Sequence, residues 1–275
     1  MARQKGTGVA VEPMLPVVVG LVGCPTSLHA LDLAAEEALG RVTPLDIVYV
    51  HQSSADGVEG PACALYRARD LLDAAVVRVR SEYPGLAVRG CFETGDAAEA
   101  LLRHAESACL VVLGHGGTGT AFGPVAQRVV GASVAPVLVC RSFDREHTDP
   151  RPRPILVGVP EPSRCDEVLG FAFEEAAVRG APVLARHVRM AQEQHPIDEA
   201  LAGWSAKYPE VEVVPEVVDG TGADVPAALL DASHDAQLVI VGRDCRPGSG
   251  GPLLGTVSRA LLAHAGCSVA VVTRP

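Results

Sequence analysis

The 275-residue chain has little of what several common function classes need. No apolar run approaches the length of a membrane span. The start, MARQKGTGVAVEP, carries basic residues with no apolar segment behind them, so it reads as a loose tail and not as a secretory leader. Basic residues are outnumbered: 23 Lys and Arg stand against 33 Asp and Glu, a formal net charge of −10. That balance opposes an electrostatic grip on nucleic acid or on an anionic membrane, and neither is expected as a partner. The eight cysteines include no CxxC pair. Reduced thiols in a cytoplasm are therefore the expectation.

Catalytic and metal signatures are also missing. The nine histidines form no HxxxH or HExxH pattern, so no metal site is expected. No G-x-S-x-G elbow marks a nucleophile, and no G-K-[S/T] closes a Walker loop. No general base can be named, and the chain does not read as an enzyme. Glu36-Glu37 and Glu174-Glu175 are paired in sequence, but adjacent helical residues point about 100° apart, so these acids read as solvated charges.

What the sequence does contain is written twice. PVVVGLVG at Pro16–Gly23 answers to PILVGVPE at Pro154–Glu161. LDLAAEEALGRVTPLDIVYVH at Leu31–His51 answers to LGFAFEEAAVRGAPVLARHV at Leu169–Val188. LVVLGHGG at Leu110–Gly117 answers to LVIVGRDC at Leu238–Cys245. GPVAQRVVGASVAPVLVCR at Gly123–Arg141 answers to GTVSRALLAHAGCSVAVVTR at Gly255–Arg274. The order is the same in both halves, which points to a duplicated domain. FDREHTDPRPRP, charged and Pro-rich, reads as the joint between them. The expected division is a flexible tail over 1–14, a first domain over 15–142, a linker over 143–153 and a second domain over 154–275.

Within each half, short β-branched runs alternate with amphipathic helical patterns. The spacing predicts strands near 16–22, 45–51, 86–92, 109–114 and 136–141, then near 154–159, 182–188, 212–218, 237–242 and 268–273. First-half helices are predicted over 27–40, 60–83, 96–107 and 123–133. Continuous apolar strands suit a sheet covered on both faces. Alternation with short loops implies a doubly wound α/β fold, whose ligands bind beyond the carboxyl ends of the strands.

The LVGCPTS turn, the AAEEA helix, the GD-x-x-x-A-L-L segment at Gly95–Leu102 and the strand–glycine-loop–helix unit before the last strand resemble the universal stress protein family, in its tandem two-domain form. The resemblance implies two α/β domains, each with five parallel strands ordered 3-2-1-4-5, of the adenine-nucleotide-binding superfamily type. It implies a stress-response or regulatory protein. It also implies that ATP or another adenine nucleotide would be held by G-x2-G-x9-G-[S/T] after the fourth strand. In the second half Gly242, Cys245, Gly255 and Thr256 keep that spacing, with Cys245 in place of the second glycine. Arg243, Arg246 and Val257 belong to the same implied site, and Pro160 takes the place of an aspartate after the first strand.

In the first half the corresponding residues are Val22, Gly114, Gly117, Gly123 and Pro124. Only five residues separate Gly117 from Gly123, and Pro124 removes an N–H where a hydroxyl residue is expected. That site reads as degenerate. The expectation is one adenine nucleotide of low affinity in the second domain. The alternative is a ligand-independent interaction or dimerisation module with both pockets lost. The last strands, Val137–Arg141 and Val269–Thr273, are apolar edges and are expected to pair the two domains within the chain.

Overall fold

The computed structural model describes residues 14–22, 25–52, 61–116, 122–141, 152–159, 165–189, 197–221, 224–243 and 254–273. The first half runs β1 (Val17–Leu21), α1 (Pro25–Gly40), β2 (Leu45–His51), α2 (Pro61–Glu82), β3 (Val88–Thr94), α3 (Ala97–Ala105), β4 (Leu110–Gly114), α4 (Pro124–Ala132) and β5 (Val137–Cys140). The second half runs β6 (Ile155–Gly158), α5 (Asp166–Arg179), β7 (Val183–Arg189), α6 (Ile197–Lys207), β8 (Val213–Asp219), α7 (Val225–Ala232), β9 (Leu238–Gly242), α8 (Thr256–His264) and β10 (Ser268–Val272). The tail and most of the expected linker lie outside the described residues.

Each half is a parallel sheet in the order 3-2-1-4-5, and the two sheets form one. The full order is β3-β2-β1-β4-β5-β10-β9-β6-β7-β8. The joint is the antiparallel pair β5–β10, with Val269 opposite Val139, Ala270 opposite Leu138 and Val271 opposite Val137. All six of these residues are buried. A single apolar edge strand leaves its N–H and C=O groups unpaired, and the second copy of that edge satisfies them.

Strand residues alternate between two buried layers, as a sheet with helices on both faces requires. Val17, Val19 and Leu21 face the layer under α1, with Leu31, Ala34 and Ala38. Val18 faces the layer under α3 and α4, with Leu101, Val129 and Val130. The helices on the first side come close. A Cβ at Gly40 would stand 2.4 Å from Val178 Cγ1 of α5, so a side chain at the end of α1 would collide with the other half.

Local signals set several boundaries. Asp96 accepts from the Glu99 N–H at 2.9 Å and caps α3. Gly180, with φ 59°, ends α5 in the left-handed region. β3 starts two residues later than the sequence pattern predicts. Leu86 instead closes a turn by donating to Tyr83 O at 3.1 Å, and Ala87 O accepts from Leu45 N.

Candidate functional site

The carboxyl ends of β1, β2 and β4 open into a cavity of about 150 Å³ in the first domain. Its floor includes Gly20, Val48, Leu101 and Leu113, and its rim includes Val22, Gly116, Pro124 and Val125. Gly20 leaves the space open, because a Cβ there would lie 2.8 Å from Leu113 Cδ2. Among the described residues the lining carries no charged side chain. Val22 is 58% exposed, so the position where the family resemblance calls for an aspartate presents an isopropyl group to solvent.

The loop after β4 closes on itself. Gly116 has φ 67°, and Gly123 donates its N–H to His115 O at 2.9 Å. Gly123 is the N-cap of α4 without a side-chain cap, and Pro124 follows at the first helical position. One N–H is thus spent inside the loop and the next is absent. The amides of Val125 and Ala126 remain without an intrahelical acceptor beside the cavity. Gly114 ends β4 and lines the same space. Gly117 lies outside the described residues.

The second domain repeats the frame with different side chains. Gly158 takes the place of Gly20, and a Cβ on it would lie 2.8 Å from Leu229 Cδ1. Gly20 pairs with Val48, whereas Gly158 pairs with Arg186. A cation therefore replaces a valine beside the ends of the strands. Arg186 donates to Glu216 and, at 2.7 Å, to Ala228 O. Gly242 ends β9. Gly255 is the N-cap of α8, with φ −60° and ψ 164°. Thr256, Val257 and Ser258 form the first turn, so their N–H groups have no intrahelical acceptor. Thr256 is exposed and carries a hydroxyl where the first domain has Pro124. The candidate residues Pro160, Cys245 and Arg246 lie outside the described residues.

Arg243 reaches into the other half. Nη1 donates to Gly131 O at 3.1 Å and Ser133 O at 2.9 Å, at the C-terminus of α4 in the other half. The first half reciprocates. His115 stands one residue past β4, as Arg243 stands one past β9, and its Nε2 lies 3.1 Å from Leu262 O of α8. Arg141 donates to Leu262 O, Ala263 O and Ala265 O. Cations thus meet the carbonyl-rich ends of two helices, the favourable sense of the helix dipole. Arg141 Nη2 also donates to His115 Nε2 at 2.9 Å. Burial and then the Arg141 charge hold the His115 pKa below its ordinary value, keeping the ring neutral.

A second interdomain contact corrects the sequence reading for Glu37 and Glu175, while Glu36 and Glu174 are exposed as expected. Glu37 is 2% exposed and Glu175 is 0% exposed; neither is solvated. Arg41 of the first half donates to Glu175, and Arg179 of the second donates to Glu37. Each arginine also pairs with the glutamate four residues before it, Arg41 with Glu37 at 3.4 Å and Arg179 with Glu175 at 3.0 Å. Two carboxyl groups and two guanidiniums form a closed square between the ends of α1 and α5. Burial, and then the Glu175 charge, raise the Glu37 pKa to about 7. The signal was present in the sequence as Glu-x3-Arg at equivalent places in both copies. Periodicity alone does not say which helices face each other.

The sequence matches the model of the universal stress protein family twice, over residues 14–141 and 152–273. The chain belongs to the universal stress protein family. It is 31% identical over 291 residues to a universal stress protein of Mycobacterium tuberculosis, covering 94% of this chain and 96% of that one. A universal stress protein of Mycolicibacterium smegmatis is 28% identical over 94% of this chain and 97% of its own. Among solved structures, a universal stress protein from Archaeoglobus fulgidus superposes with a TM-score of 0.74 at 17% identity, covering 94% of this chain and 96% of that one. At that identity the likeness establishes the fold: two tandem universal stress protein domains on a parallel-dominated sheet. No helix among the described residues is long and apolar enough to cross a membrane.

Proposed function

We propose that this universal stress protein is a cytoplasmic regulatory binding protein that takes one adenine nucleotide, in its second domain. The observation that carries the reading is the contrast between the two helix starts. α8 opens on Gly255-Thr256, with a hydroxyl and three first-turn amides without an intrahelical acceptor. α4 opens on Gly123-Pro124, where one amide is spent and the next does not exist. The first cavity is apolar, and its volume falls short of the roughly 300–1,000 Å³ of ordinary small-molecule sites.

A second reading has its own support. Arg243, the first cation of the implied loop, is engaged by the other domain. Val22 replaces the acid expected to meet a nucleotide. On this reading the chain is a ligand-independent interaction module whose two halves serve each other. Gently isolated protein, extracted with acid and assayed for nucleotide, separates the two. Adenine nucleotide at up to one per chain supports the first reading. Nucleotide-free protein that also fails to take up added ATP supports the second.

A further inference from the structure

We propose a divalent transition-metal site of the zinc type in the first domain, built from Asp46, Cys91 and His104 and braced by Glu93. The three donors come from different elements: Asp46 from β2, Cys91 from β3 and His104 from α3. One ligand atom of each lies within 4.8 Å of the others. Bonds of about 2.0–2.3 Å from a shared ion require donors somewhat closer than that, a contraction within reach of side-chain rotation. A carboxylate, a thiolate and an imidazole form a mixed O, S, N donor set that suits Zn²⁺ better than Mg²⁺ or Ca²⁺, which prefer oxygen alone.

The surroundings resemble the support that metal ligands receive. Glu93 Oε1 lies 2.7 Å from His104 Nε2, and Arg103 in turn donates to Glu93. A carboxylate bound to the imidazole fixes the orientation of the ring. Asp46 is buried, yet its countercharge comes from Arg89, whose side chain is 69% exposed. An exposed guanidinium can swing into water when a metal takes its place, at small cost. Register explains why the donors meet. Asp46 pairs with Arg89, Val48 with Cys91 and Val50 with Glu93, so all six share one face of β2–β3, the face that α3 covers. The duplicated domain lacks the set. β7 pairs Leu184 with Val214 and Arg186 with Glu216 on the corresponding face.

The site is separate from the proposed nucleotide site, and the test does not depend on that reading. Cobalt(II) is titrated into the metal-free full chain under anaerobic, reducing conditions, and the near-ultraviolet thiolate-to-cobalt band is followed. Zinc is then added to displace it. Wild type is expected to develop the band at one ion per chain and lose it to zinc. Cys91→Ser should abolish the band. Glu93→Gln should weaken cobalt binding about 10–100-fold, the usual effect of losing a ligand-orienting partner, and His104→Ala, which removes a ligand, should weaken it at least as much. Circular dichroism checks that each substitution leaves the fold intact. No band in wild type, or an undiminished band in folded Cys91→Ser, overturns the proposal.

Discussion

Arg179 of α5 reaches across the chain's midline to donate to Glu37 of α1, and Arg41, the residue after α1, returns the contact to Glu175 of α5. The two halves are thus tied by reciprocal ion pairs on one face of the sheet. The Arg141 and Arg243 contacts to helix C-termini tie them on the other. Between these layers runs the β5–β10 ladder.

At pH 8, above the Glu37 pKa of about 7, removing one arginine of the buried square leaves an uncompensated charge. Arg179→Met is expected to destabilise the chain by about 3–5 kcal/mol. Replacing Glu37, Arg41, Glu175 and Arg179 together with apolar residues of similar size should cost far less, or should stabilise. Urea unfolding of the single and quadruple variants checks the contrast. A quadruple variant less stable than Arg179→Met would show that the pairs themselves, and not the burial of an odd charge, carry the interface.

The pH dependence follows from Glu37. Its folded pKa is about 7, against an ordinary value of 4.5. Between those values the folded chain holds a proton that the unfolded chain has released. Stability from this group is therefore full below about 4.5 and is lost as pH rises toward 7. Glu37→Gln removes that slope. Thermal melts at pH 5 and pH 8 should show the variant gaining on wild type as pH rises. The opposite trend would mean that the two arginines outweigh burial and Glu175, keeping Glu37 ionised.

Close approach of α1 to α5 gives a steric prediction. Gly40→Ala places a methyl group against Val178 and is expected to cost about 1–3 kcal/mol, the range for overpacking. Val178→Ala should recover part of that loss in the double variant. Equal losses in Gly40→Ala with and without Val178→Ala would show that helix propensity at the end of α1, not the contact, sets the effect.

Much of this architecture was legible in the sequence. The ordered repeat gave the duplication, and continuous apolar strands such as VVVGL and LVIVG gave a sheet buried on both faces. The helical pattern over 96–107 gave α3, which Asp96 caps in the structure. What stayed hidden was the pairing of elements distant in the chain. Glu37 and Glu175 lie 138 positions apart, and nothing in either helix announces that the other will cover it. Asp46, Cys91 and His104 have no metal-like spacing, because three separate elements bring them together. Arg243 sits in a loop whose sequence suggests a ligand, while its side chain follows the carbonyls at the end of α4.

The central claim is one nucleotide site, in the second domain, and calorimetric titration with ATP tests it most directly. Gly255 has extended geometry that aspartate adopts easily, and aspartate is a good N-cap, so Gly255→Asp should fold while setting a carboxylate against the phosphates. Pro124→Glu sets a carboxylate at the start of α4, one residue past Gly123, the counterpart of Gly255. The account predicts one site per chain in wild type, no heat in Gly255→Asp and unchanged binding in Pro124→Glu. Two sites per chain, or binding lost in Pro124→Glu and kept in Gly255→Asp, would contradict it.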